Sequence, residues 1–79
     1  MTVKVEAVTG PDPVAFIYLR GSVEGVPQVT QTRTVATAAL ASGALTIAGE
    51  KAALIADVEQ ALTNWQAAQA ALQEIENGN

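Results

Sequence analysis

Seventy-nine residues with no cysteine and no histidine set narrow limits on this chain. One small domain is the most that length allows, and the composition excludes disulfides, zinc–thiolate centres, thiol redox chemistry and histidine-based general-base catalysis. The net charge of −4 lies entirely in residues 46–79: residues 1–45 balance Lys4, Arg20 and Arg33 against Glu6, Asp12 and Glu24, whereas residues 46–79 set Lys51 against Glu50, Asp57, Glu59, Glu74 and Glu76.

The chain opens on an alternation. Val3, Val5 and Ala7 share one face and Lys4 and Glu6 the other, the pattern of a strand with one wet side. Thr9-Gly10-Pro11-Asp12-Pro13 interrupts it, because two prolines remove backbone donors and glycine and aspartate suit turns. Residues 14–19 are apolar on both faces, which predicts a strand covered on both sides, central in a sheet or at an interface. These two strands are expected to form an antiparallel hairpin. Phe16 and Tyr18 are candidate interface residues on the second.

Residues 20–27, with Gly21, Gly25 and Pro27, read as a loop. Pro27 is compatible only with a strand start or a sheet edge. Residues 28–37 read as a third strand, with Thr30, Thr32 and Thr34 on one face and Val29, Gln31, Arg33 and Val35 on the other. Residues 38–48 admit two readings. In one, a hairpin turns at Ser42-Gly43 and Leu45-Thr46-Ile47 returns as a short strand; in the other, an early helical turn is interrupted by Gly43. β-branched Thr46 and Ile47 favour the first.

From about Glu50 to Glu76 the chain has no proline and no interior glycine, and Asn77-Gly78 is a common left-handed helix ending. Leu54, Val58, Ala61, Trp65, Ala68, Leu72 and Ile75 recur at alternating steps of four and three, as in a coiled-coil seam. Ile55 and Leu62 widen that stripe, which suits packing on a sheet or in a bundle better than a two-stranded coiled coil. Glu50 is placed well for the helix dipole, whereas Glu74 and Glu76 lie at its unfavourable end.

No stretch spells out a reaction. Gly43-Ala-Leu-Thr-Ile-Ala-Gly49-Glu50-Lys51 fails as a phosphate-binding loop, since five residues separate the glycines and a glutamate and an alanine stand where lysine and a hydroxyl belong. Asp57 and Glu59 diverge on a helix and cannot clamp one metal, and Glu50 and Asp57 share a face but lie two turns apart, so a solvated acidic face is expected. Ser22 and Ser42 lack any histidine to activate them, leaving only a formal serine–lysine pairing with Lys4 or Lys51. No catalytic residue, metal ligand or cofactor site is therefore expected. Four cations in an acidic chain argue against nucleic acid as a partner, and no apolar run is long enough for a membrane span or a leader peptide. A small-molecule substrate is not expected either.

These readings combine into one α+β domain spanning 1–79, with a β-rich part over 1–48 made of an antiparallel hairpin or meander and a long amphipathic helix over 49–77. Sixteen of the apolar residues are alanine, so the core of an isolated chain is thin, and oligomerisation is the stabilising device that remains. The expected interface is the helix seam of Leu54, Val58, Ala61, Leu62, Trp65, Ala68, Leu72 and Ile75. The Trp65 ring either packs on its own domain's sheet or enters a neighbouring chain, the second being favoured because few other large residues are present to surround it. The chain is short, cysteine-free and rich in Ala, Thr and Val, with hairpins and a terminal helix. In this style it resembles small structural proteins of tailed bacteriophage particles. That resemblance implies a capsid, tail or fibre-associated subunit, incorporated into a virion, that contacts copies of itself or other subunits. With no targeting segment in view, a soluble protein made in the cytoplasm, and kept there or assembled there into something larger, is expected. The alternative from the residues alone is a small acidic binding module or inhibitor that docks its helix on a basic partner.

Overall fold

The computed structural model describes residues 2–78, and its architecture is α+β. Three strands, β1 (Val3–Val8), β2 (Phe16–Val23) and β3 (Val26–Ala36), form an antiparallel sheet in the order β1-β2-β3. A short helix α1 (Thr37–Ser42) and a long helix α2 (Ile47–Asn77) follow.

The first hairpin forms where the prolines predict a break. The Asp12 carboxylate accepts from the N–H groups of Val14 and Ala15 at 3.2 and 3.0 Å, which folds the loop back into β2. Gly10 lets that loop cross the Tyr18 ring: a Cβ there would sit 2.0 Å from Tyr18 Cε2. β2 is the central strand, as its unbroken apolar character predicts, but only one of its faces is covered. Ile17 and Leu19 pack inward, while Val14, 83% exposed, precedes the strand and Phe16 opens to solvent.

Residues 20–27 differ from the predicted loop. β2 runs on through Arg20-Gly21-Ser22-Val23, and Glu24-Gly25 turns the chain directly into β3, with Gly25 at φ +80°. Val23 pairs with Val26 across this turn, and the register then shifts between Gly21 and Val23 before the regular pairing of Gly21 with Gln31. Pro27 lies near the start of an edge strand, where its missing N–H breaks no central ladder. Beyond the shift, Val29 and Val35 point inward and Thr32 and Thr34 outward, as the alternation predicts.

The stretch after β3 is helical, so the predicted strand at residues 45–47 is not formed. β3 passes straight into α1, which ends at Gly43 in the left-handed conformation, φ +83°. Thr46 then caps α2 by accepting from the Gly49 N–H at 3.1 Å. The β-branched residue that favoured a strand is thus the N-cap, and Gly49 lies inside the first turn. At the other end Gly78 is right-handed, φ −78°, with its N–H on the Glu74 carbonyl at 2.9 Å, so the expected left-handed ending is absent.

The core is one layer between α2 and the sheet: Leu19, Val23, Val26, Val29, Val35, Leu54 and Val58. Five of these seven are valines, so the core is as thin as the alanine content predicts. Gly21 makes the layer close-packed, since a Cβ there would lie 2.8 Å from Val58 Cγ2 and 3.0 Å from Leu54 Cγ. Helix and sheet approach so closely because the central strand has no side chain at that point.

Candidate interaction surface

α2 is 31 residues long, about 46 Å at 1.5 Å per residue, and the whole molecule measures 57 × 22 × 17 Å. The sheet supports only the first part of the helix. Leu54 and Val58 are fully buried, and Ala61, Leu62 and Trp65 pack half-buried against the same core. From Gln66 to Gly78 every residue is exposed, including Ala68, Leu72 (53% exposed) and Ile75 (66%). Twelve helical residues, about 18 Å, therefore project beyond the half-buried Trp65.

This divides the predicted seam. Leu54 and Val58 are corrected from interface to core: with no exposed surface, they cannot meet a neighbouring molecule. Ala61, Leu62 and Trp65 are shared, with part of each side chain on the chain's own core and part in solvent. The Trp65 ring, expected to reach a neighbouring chain, rests on its own domain. Ala68, Leu72 and Ile75 continue the same stripe onto surface that the sheet does not cover. A periodicity that looks uniform in sequence serves two purposes in space.

Charge fixes the supported half of α2 in place. Arg33, on the helix-facing side of β3, pairs through Nε with Glu50, whose side chain is 10% exposed, and lies 3.7 Å from Asp57. The hydrogen bond to Glu50 holds the Arg33 guanidinium above its ordinary pKa, with further support from the charges of Glu50 and Asp57. Glu50 and Asp57, seven residues apart on one helix face, are thus joined through a cation from the sheet. The expected solvated acidic face is corrected at Glu50, which is buried and paired.

The sheet's other face is open. Phe16 and Tyr18 lie there with ring centroids 6.3 Å apart at 58°, and the Tyr18 hydroxyl accepts from the Asp12 N–H at 3.3 Å. Tyr18 is therefore tied into the β1–β2 loop, and Phe16, 38% exposed, is the more accessible of the two. Beside them Arg20 pairs with Glu6 at 2.5 Å across β1 and β2. Arg20's hydrogen bond and charge hold the Glu6 carboxyl below the ordinary glutamate value. Lys4 and Ser22 stand opposite each other in register and, with Thr2 and Glu24, line a shallow open concavity. No side-chain hydrogen bond joins Lys4 to Ser22 among the described residues.

The outer edges of β1 and β3 were not singled out by sequence reasoning. The Thr37 N–H donates to the Ala15 carbonyl, which sets the hydrogen-bonding parity of the whole sheet. Ile17, Leu19 and Gly21 turn their backbone groups to β3, and Tyr18, Arg20 and Ser22 turn theirs to Val8, Glu6 and Lys4 of β1. Val3, Val5 and Ala7 therefore direct their N–H and C=O groups outward, along the edge. Predicting this edge required the strand order, which local periodicity does not contain.

Among the described residues no helix is long and apolar enough to cross a membrane. No protein-family model, no curated protein and no solved structure matches the chain.

Proposed function

We propose that this protein is a non-enzymatic assembly subunit that packs against copies of itself, or against other subunits of a larger repeating structure, through the projecting half of α2. The observation that carries this reading is the continuation of the apolar stripe past the sheet: Ala68 and Leu72 follow the buried Leu54 and Val58 at the same helical spacing but lie on exposed surface. A thin valine core supports it, because a domain this small gains much from a partner. The compositional resemblance to small structural proteins of tailed bacteriophage particles makes a capsid, tail or fibre-associated role the specific form of the proposal.

Light scattering after size-exclusion chromatography at micromolar concentration tests it. A mass above that of the 8.1 kDa chain, markedly lowered on Leu72→Glu with the fold intact by circular dichroism, is the expected result. A cooperative, well-folded monomer for the unmodified chain sinks the self-association form.

A second reading rests on a separate observation. Glu74 and Glu76 close α2, and its last turn carries no basic residue to offset them or the helix dipole. A basic partner surface would supply that charge, making the chain an acidic docking module. Salt separates the two. An apolar self-contact persists at about 1 M salt, where the Debye length is near 3 Å, and a charge-steered heteromeric complex dissociates.

A further inference from the structure

We infer that the outer edge of β1 is a second self-association surface, on which two copies pair their β1 strands antiparallel about a two-fold axis through Val5. The inference rests on the reading of the chain as a self-associating subunit, and it specifies where and in which register copies meet.

The edge is chemically open. β1 is an outer strand, Val3, Val5 and Ala7 turn their backbone N–H and C=O groups away from β2, and no hydrogen bond within the chain reaches them among the described residues. Open edges of this kind are templates for another strand unless they are short, bulged or blocked by proline or unmatched charge. β3 is blunted in two of these ways, by Pro27 and by its register shift at the Val26 end. β1 has regular pairing throughout and no proline.

Its charge pattern is complementary to itself. With the axis through Val5, Val5 meets Val5 of the second copy and Val3 meets Ala7, each pair turning its backbone groups toward the other. Lys4 then stands opposite Glu6, twice by symmetry, on the open face of the sheet. Moving the axis to Lys4 or to Glu6 places like charges against each other, which opposes pairing. Lys4 makes no ion pair within its own chain among the described residues, and Glu6 already turns toward the cation Arg20. Pairing would convert the three-stranded sheet into a continuous sheet of twice the width, with both α2 helices on one face.

Because the two-fold rotation makes each copy present the same residues to the other, the test is a charge swap read by sedimentation equilibrium. Lys4→Glu and Glu6→Lys each place like charges opposite one another, and each is expected to weaken self-association about 10- to 100-fold. An equimolar mixture of the two variants restores complementarity at both positions and is expected to recover the unmodified affinity. Ala7→Pro supplies an independent arm: Ala7 is exposed and its N–H points away from β2, so proline removes an edge donor while sparing the intrachain ladder. It is expected to weaken association without shifting the far-ultraviolet spectrum. An unmodified chain that associates, with variants and mixture all unchanged, overturns the edge contact and leaves the helix contact standing. An unmodified chain that is monomeric throughout overturns both.

Discussion

Leu54 and Leu72 are the same residue type, on the same helix and the same stripe, and truncating each to alanine should give opposite results. Leu54 is fully buried between Gly21 and its neighbours, so Leu54→Ala removes its transfer free energy and leaves a cavity that the close-packed glycine contact cannot collapse. The expected cost is about 2–5 kcal/mol. Against a total stability of roughly 4–12 kcal/mol for a chain of this length, that is a large fraction, and it lowers the melting midpoint by on the order of 10 °C or more. Leu72 is 53% exposed in the single chain, so Leu72→Ala should cost less than about 1 kcal/mol when the protein is dilute. Chemical denaturation of both variants at low micromolar and at high concentration separates the effects. Leu54→Ala should be destabilised equally at both, and Leu72→Ala only where the chain is concentrated enough to associate. A Leu54→Ala cost below about 1 kcal/mol would refute the assignment of this residue to the core, and equal costs for the two leucines in dilute solution would refute the division of the helix.

Three further outcomes follow from particular contacts. Gly21→Ala should destabilise by about 1–3 kcal/mol in thermal melts, because its Cβ meets Val58 Cγ2 at 2.8 Å and the helix must lift; a neutral result would mean the layer is looser than described. Thr46→Ala should cost about 0.5–2 kcal/mol, with Thr46→Ser recovering most of it, since the hydroxyl caps the Gly49 N–H. Arg20 lowers the folded pKa of Glu6, so this pair's contribution is present above the ordinary glutamate value of 4.5 and fades as pH falls through the lower folded value. The difference in melting temperature between the unmodified chain and Glu6→Gln should accordingly shrink as pH falls below the ordinary glutamate value, and a difference that grows on acidification would contradict the pairing.

Much of the fold is legible in the residues, because the strongest signals are local. Alternation marks β1 and β3, an apolar run marks the central β2, and a stretch free of proline and glycine from 50 to 76 marks all but the first turn of α2. The misses come from residues whose meaning is tertiary. Gly21 reads as a loop residue, yet it lies mid-strand where Leu54 and Val58 need room. Thr46 reads as a strand former, yet its hydroxyl caps a helix, and Gly49 three residues on lacks the acidic side chain that would have marked a capping box. Glu24-Gly25 between two valines was the available sign of a tight hairpin. The candidate surface was half legible: the stripe from Leu54 to Ile75 is plain in the spacing, but where it stops touching its own sheet depends on sheet width. Three strands cover the helix only as far as Trp65, and no periodicity encodes that limit.

The central claim is that the projecting end of α2 joins copies of this chain, and its most direct test is mass against concentration by sedimentation equilibrium for the unmodified protein and for Leu72→Glu. The account predicts an average mass that rises above 8.1 kDa with concentration for the unmodified chain and stays markedly lower for the variant at equal helix content. An unmodified chain that remains at 8.1 kDa across the accessible range while melting cooperatively would contradict it.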